Sequence, residues 1–210
     1  MASIGLKHPV FSPITRMNDN AMPTYGTGFV IGKAVKADLT INTIEGSLYA
    51  DDALAEYASQ FQNGSISAEV DEISDNNKVT MFGYKKVTGS GGTSGIKKGA
   101  KNETVHGGFG YYKTKVVNGT NFYRATWFFD TVFHETGESN ETKGENITFS
   151  TTAFEGTILP VFGLGDDDWV EETMFSTEAE AISWLHTRAG ISGGVSVASA
   201  SAPATTSAKN

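Results

Sequence analysis

Apolar and polar positions alternate along most of this chain, and that period of two predicts strands. Residues 4–14 read as a first extended segment, with Pro9 and Pro13 pointing to an edge position. In residues 25–41, YGTGFVIGKAVKADLTI, Phe29, Ile31, Val35 and Leu39 alternate with small or charged residues. They predict one long strand bent near Gly32. Residues 61–70 put Ile66, Ala68 and Val70 on one face and Ser65, Ser67 and Glu69 on the other. Residues 112–129, YKTKVVNGTNFYRATWFF, hold two β-rich arms around Asn118-Gly119, the strongest short-range hairpin signal. Its second arm extends to Phe133. Residues 147–158 and 169–175 predict two further strands, with an acidic turn at 166–168 before the second.

The helical period of 3.6 is rarer. Residues 177–189 are the clearest case. Thr177 and Glu180 fit a capping box, Gly190 is placed to end the helix, and Ala181, Ile182, Trp184, Leu185 and Ala189 form its apolar stripe. Residues 74–82 predict a short helix capped by Ser74. Residues 42–60 read as a loop ending in a helical turn, because Leu54 and Tyr57 are three apart. The glycine-rich residues 89–99 read as a flexible loop, and residues 135–145 as an acidic turn. Residues 192–210 lack a core-forming pattern and read as a Ser/Ala-rich flexible tail after one domain over 1–191. The expected fold is mainly β: an antiparallel sandwich or partly closed barrel with one flanking α-helix.

Composition narrows the function. The 210 residues carry a net charge of −8, so a phosphate grip through counterion release is not expected. Lys97, Lys98 and Lys101 form a small basic island that reads as a solvated loop. With no cysteine, thiol nucleophiles and zinc–thiolate sites are excluded. The first residues hold no apolar run of signal-peptide length, and no run reaches the roughly 18 residues of a membrane span. Synthesis in a cytoplasm is the expectation. Sequons at Asn63, Asn102, Asn118, Asn140 and Asn146 then read as chance matches.

No constellation of catalytic residues stands out. His8, His106, His134 and His186 lie in no nucleophile motif, and FHETGE at His134 is not the zinc-protease spacing. In YGTGFVIG, Ile31 takes the place of the third glycine of a dinucleotide fingerprint. Carboxylates cluster at Asp51, Asp52 and Glu56 and again at Asp166, Asp167 and Asp168, but neither cluster has calcium-loop spacing. Trp127, Trp169 and Trp184 read as core or interface anchors. No enzyme activity, cofactor or metal is expected.

Five stretches in order resemble the major tail protein family of long-tailed bacteriophages: IGLKHPVFSPIT, YADDALAE, GFGYYKTKVVNGTNFYRATWF, ETKGENITFSTTAFEGTI and FSTEAEAISWL. The resemblance covers roughly residues 3–191, with YADDALAE the most specific match. It implies a structural virion protein that assembles as homo-hexameric rings stacked into a tail tube. Phage DNA would leave through the lumen without specific binding, and tape measure and tail tip or terminator proteins would be partners. It also implies that the 42–60 segment reaches neighbouring subunits. Leu48, Tyr49, Asp51, Asp52, Leu54, Glu56 and Tyr57 are the candidate contact residues, with Tyr49, Leu54 and Tyr57 buried in the neighbour. Such a subunit is expected to stay monomeric until assembly is triggered. The alternative reading is a carbohydrate-binding β-sandwich at a cell or virion surface, supported by the tryptophans and the sequons. A tube protein of a secretion machine would have a similar fold.

Overall fold

The computed structural model describes residues 2–50, 53–89, 94–138 and 151–192. Its centre is the hairpin of β8 (His106–Val117) and β9 (Thr120–Glu138). Asn118 and Gly119 both take positive φ, 50° and 80°, the backbone a two-residue hairpin turn requires. β1 (Ala2–Arg16) pairs antiparallel with β8. On the other border of β1 lie the two-residue strands β2 (Thr24–Tyr25) and β3 (Phe29–Val30).

β9 is long enough to take two partners in turn along one border. Its first half pairs with β11 (Val170–Phe175), and its second half pairs with β10 (Thr152–Leu159). β10 pairs with β5 (Ala53–Val70), which pairs with β4 (Ala34–Ala50). The molecule is mainly antiparallel β, a sandwich with helix α2 (Glu178–Ala189) on one outer face. A second helix, α1 (Asp75–Phe82), closes one end, capped by Ser74 and ended by Gly83 in the left-handed conformation.

Alternation along β8 and β9 divides the interior into two cores. Phe109, Tyr111 and Phe128 face the first, with Phe11, Ile66, Phe133, Phe154 and Ile158. Edge-to-face pairs join Phe109 to Phe133 at 5.1 Å and Phe133 to Phe154 at 5.3 Å. Tyr112, Ala125, Trp127 and Phe129 face the second core, under Ala181, Leu185 and Ala189 of α2. The expected capping box of Thr177 and Glu180 is present, as is the left-handed Gly190. α2 therefore starts and stops where the chemistry of its ends dictates.

Three expectations need correction. Residues 25–41 are not one bent strand: the chain leaves the sheet after β2 and β3 and re-enters it at β4. There Ile31 N–H donates to the Pro9 carbonyl, and Lys33 N–H donates to Asp71. Residues 89–99 are not loop throughout, since β7 (Ser94–Lys97) within them pairs with β6 (Lys85–Thr88). Residues 42–60 contain no described helical turn, because β4 and β5 run straight through them as paired strands. The 3-residue spacing of Leu54 and Tyr57 gives way to the ladder hydrogen bonds, which satisfy a run of backbone groups that a single helical turn leaves open. The expected strand over 147–158 is seen as β10, and its residues 147–150 lie outside the described ones, as do residues 193–210 of the expected tail and most of the 135–145 turn.

Gly108 leaves room for the buried Trp127 ring: a Cβ there would lie 2.2 Å from Cζ2 of the indole. Gly108→Ala should therefore destabilise the fold by about 1–3 kcal/mol through overpacking, read from urea denaturation. An unchanged midpoint would mean that the second core is loosely packed.

Candidate interaction surface

Beyond Phe61, β4 and β5 leave the body as a two-stranded arm. Phe61 marks its root, stacked on Trp169 with ring centroids 4.3 Å apart. From there the ladder runs on to the Ala50–Ala53 pair, about 25 Å at 3.4 Å per residue. Every side chain described from residue 41 to 48 and from 56 to 60 is exposed. Val35 is 57% exposed, Leu39 38%, Ile41 49%, Ile44 56%, Leu48 57% and Tyr57 56%. Most of the large exposed apolar side chains of the described residues thus lie on this one hairpin. Scattered single exposures are ordinary, whereas a concentrated apolar element marks a contact surface.

The expected contact residues fall on this arm in pairs. Leu48 lies opposite Glu56, Ser47 opposite Tyr57, and Tyr49 opposite Leu54. Asp51 and Asp52 lie outside the described residues, as do the side chains of Tyr49 and Leu54. Leu39, Ile41 and Ile44 were not among the expected contacts. Continued alternation beyond Leu39 was the signal for Ile41, but Asn42-Thr43 reads as the start of a loop.

The arm also exposes backbone. The outer border of β4 pairs with no described strand, and neither does the outer border of β11. Unpaired N–H and C=O groups along a strand are a template for another chain. Among the described residues no Pro interrupts β4, although Lys36 and Asp38 charge its base.

Elsewhere among the described residues the buried side-chain polar atoms are hydrogen-bonded, apart from Nδ1 of His186. A cavity of about 780 Å³ lies between the start of β1 and the start of β4, lined by Leu6, His8, Ile31, Asp71, Tyr112 and Glu178 among others. Asp71 accepts from Lys33 N–H and Glu72 N–H, and Glu178 accepts from Tyr112 and Lys7. Nothing left over in this set converges on a reacting atom. Buried Asp130 holds Nδ1 of His106 at 2.9 Å, and burial pushes its carboxyl up against the pull of that ring. Among the described residues His106 is hydrogen-bonded to Asp130 and to no hydroxyl. Among the described residues no three His, Cys, Asp or Glu are grouped to hold a metal, and no helix is long and apolar enough to cross a membrane.

Two polar clusters pin the appendages to the body. Glu135, 6% exposed, accepts from Lys78 of α1, from Tyr84, and from Lys98 just after β7. Burial opposes its ionisation, but the bonds from Lys98, Lys78 and Tyr84 outweigh that and hold its pKa below the carboxylate norm. On the other side, His8 takes φ 58° at a β1 irregularity and meets His186 of α2, Nε2 to Nε2, at 2.8 Å. No protein-family model matches this chain, and no curated protein matches it.

Glu135→Gln removes the carboxylate charge that Lys78, Tyr84 and Lys98 share and should cost about 1–3 kcal/mol in urea denaturation. A loss under about 0.5 kcal/mol would show that the cluster is solvated. The histidine pair sets a pH dependence. Burial lowers both pKa values from 6.5, and His186 lowers that of His8 further. The unfolded chain thus binds more protons below pH 6.5, so this contribution is complete above that value and declines as pH falls through it. Melting curves at pH 7.5 and 5.5 should show a smaller acid loss for His8→Asn than for the parent; equal losses would sink the assignment.

Proposed function

We propose that this chain is a self-assembling structural subunit, the tube protein of a long-tailed phage tail, built as hexameric rings stacked around a channel. The observation that supports this best is the β4–β5 hairpin, whose exposed apolar side chains from Val35 to Tyr57 have no cover among the described residues. A two-stranded ribbon is marginal in water when isolated. Copies of the chain are the natural cover, because the fold also offers them open strand borders at β4 and β11. A heterologous contact between such borders closes into a ring when its rotation allows, and a second contact on the ring faces stacks the rings.

The chemistry agrees. Asp71, Tyr112 and Glu178 in the cavity between β1 and β4 are hydrogen-bonded within the chain, as suits a scaffold. The acidic balance, −8 overall, suits a wall past which a polyanion must slide. DNA in the channel would then be a passenger without specific contacts, and the virion tail the place of work. Tape measure, tip and terminator proteins would set the length and the ends.

Protein mixed with the tip and tape measure proteins that trigger assembly in this reading should form hollow tubes with a ring repeat in negative stain. Ile44→Asp combined with Leu48→Asp should abolish them while shifting the subunit's own stability by less than about 1 kcal/mol, since both side chains are exposed. Tubes that persist in this variant would remove the arm from the assembly. Particles that stay globular at every concentration and retain glycans on an array would favour the carbohydrate-binding alternative.

A further inference from the structure

We propose that the β6–β7 hairpin of one copy docks on the 160–169 turn of a second copy, head to tail, through opposite charge around a small apolar contact. The proposal deepens the tube reading by naming one of its contacts.

The two surfaces lie at opposite ends of the body. Glu135, which holds Lys98 at the root of the β6–β7 hairpin, pairs in register with Phe154 of β10. The turn begins at Pro160, just beyond Leu159 at the far end of β10. Five residues of strand separate Phe154 from Leu159, about 17 Å. A contact between unlike ends of this kind repeats in one direction and can be built on indefinitely.

The hairpin concentrates positive charge in an acidic protein. Lys85, Lys86, Lys97, Lys98 and Lys101 lie within 17 consecutive positions, in a chain holding 16 Lys and Arg in all. Lys85 and Lys97 are exposed and directly opposite each other in the ladder. Like charges in that arrangement are destabilising, so the hairpin on its own carries a repulsion that an anionic partner relieves. Val87, 45% exposed, lies two residues along the same strand and shares their face.

The turn is the counterpart. Asp166, Asp167 and Asp168 are consecutive and exposed, and none of them is ion-paired among the described residues. Beside them Phe162 is 76% exposed, the most exposed of the large apolar side chains described. Asp166, Asp168, Phe162, Trp169 and Phe61 line a hollow of about 380 Å³ at the root of the arm. Acidic groups around an exposed aromatic match lysines around an exposed valine. Across such an interface unlike potentials fix orientation and speed encounter.

The absence of cysteine allows a direct test. Val87→Cys and Phe162→Cys variants are mixed at 50 mM NaCl and oxidised with copper phenanthroline. Mixed 87–162 dimers should exceed both like-with-like dimers and fall by roughly fivefold at 1 M NaCl, where the screening length is about 3 Å. Adding Asp166→Lys and Asp168→Lys to the Phe162→Cys partner should remove the mixed product. Adding Lys85→Asp and Lys97→Asp to the Val87→Cys partner should restore it. Three dimers in random proportion, or a mixed product indifferent to charge reversal, overturns the contact, and so does no 87–162 product, whatever else the hairpin binds. Tubes without this product would leave the tube reading standing and reject this contact. The product without tubes would do the reverse.

Discussion

Strand β9 is the constraint on which the rest of the structure depends. It is bonded to β8 along one border and to β11 and then β10 along the other. Both of its faces are buried, Phe128 and Phe133 toward one core, Trp127 and Phe129 toward the other. A one-residue slip would exchange the two sets, placing Trp127 where Phe128 belongs. The tight turn at Asn118-Gly119 prevents that slip by fixing the pairing of Val117 with Thr120.

Legibility in the sequence followed locality. The β8–β9 hairpin and α2 were readable because their signals sit within a few residues: Asn-Gly for the turn, Thr177 and Glu180 for the cap. The alternating burial of β5 was equally plain. The arm was not. Its strands are held by each other, so the polar and small residues between Asn42 and Gln60 carry no burial pattern and look like a loop. The hairpin at 85–97 was hidden for a similar reason, since all four residues of β6 are exposed and none of β7 is buried, which leaves no apolar stripe to read. The fragmentation of 25–41 depends on partners far along the chain, Asp71 for Lys33 and Ala189 for Gly28. The contact residues at 48–57 rested on a family resemblance, and the exposed Leu39, Ile41 and Ile44 required the strand to be seen.

The molecule is thus divided in kind. The body has two packed cores and satisfied buried charges at Glu135 and Asp130. The arm, the β6–β7 hairpin and the 160–169 turn have exposed apolar groups and open or like-charged neighbours. The body keeps its shape alone, and in the proposed reading the appendages make contacts that form beside another copy. In the proposed reading this division lets one fold be both rigid and adhesive without a catalytic cleft.

The meeting of β1 with α2 has a consequence for biosynthesis. Lys7 reaches Glu178 across 171 positions, and His8 reaches His186 across 178. Trp127 stays uncovered on its outer side until α2 arrives. A ribosome must therefore release nearly all of these residues before the second core can close. Closure of the second core is thus tied to the emergence of α2, and a nascent chain that lacks it cannot present the finished body.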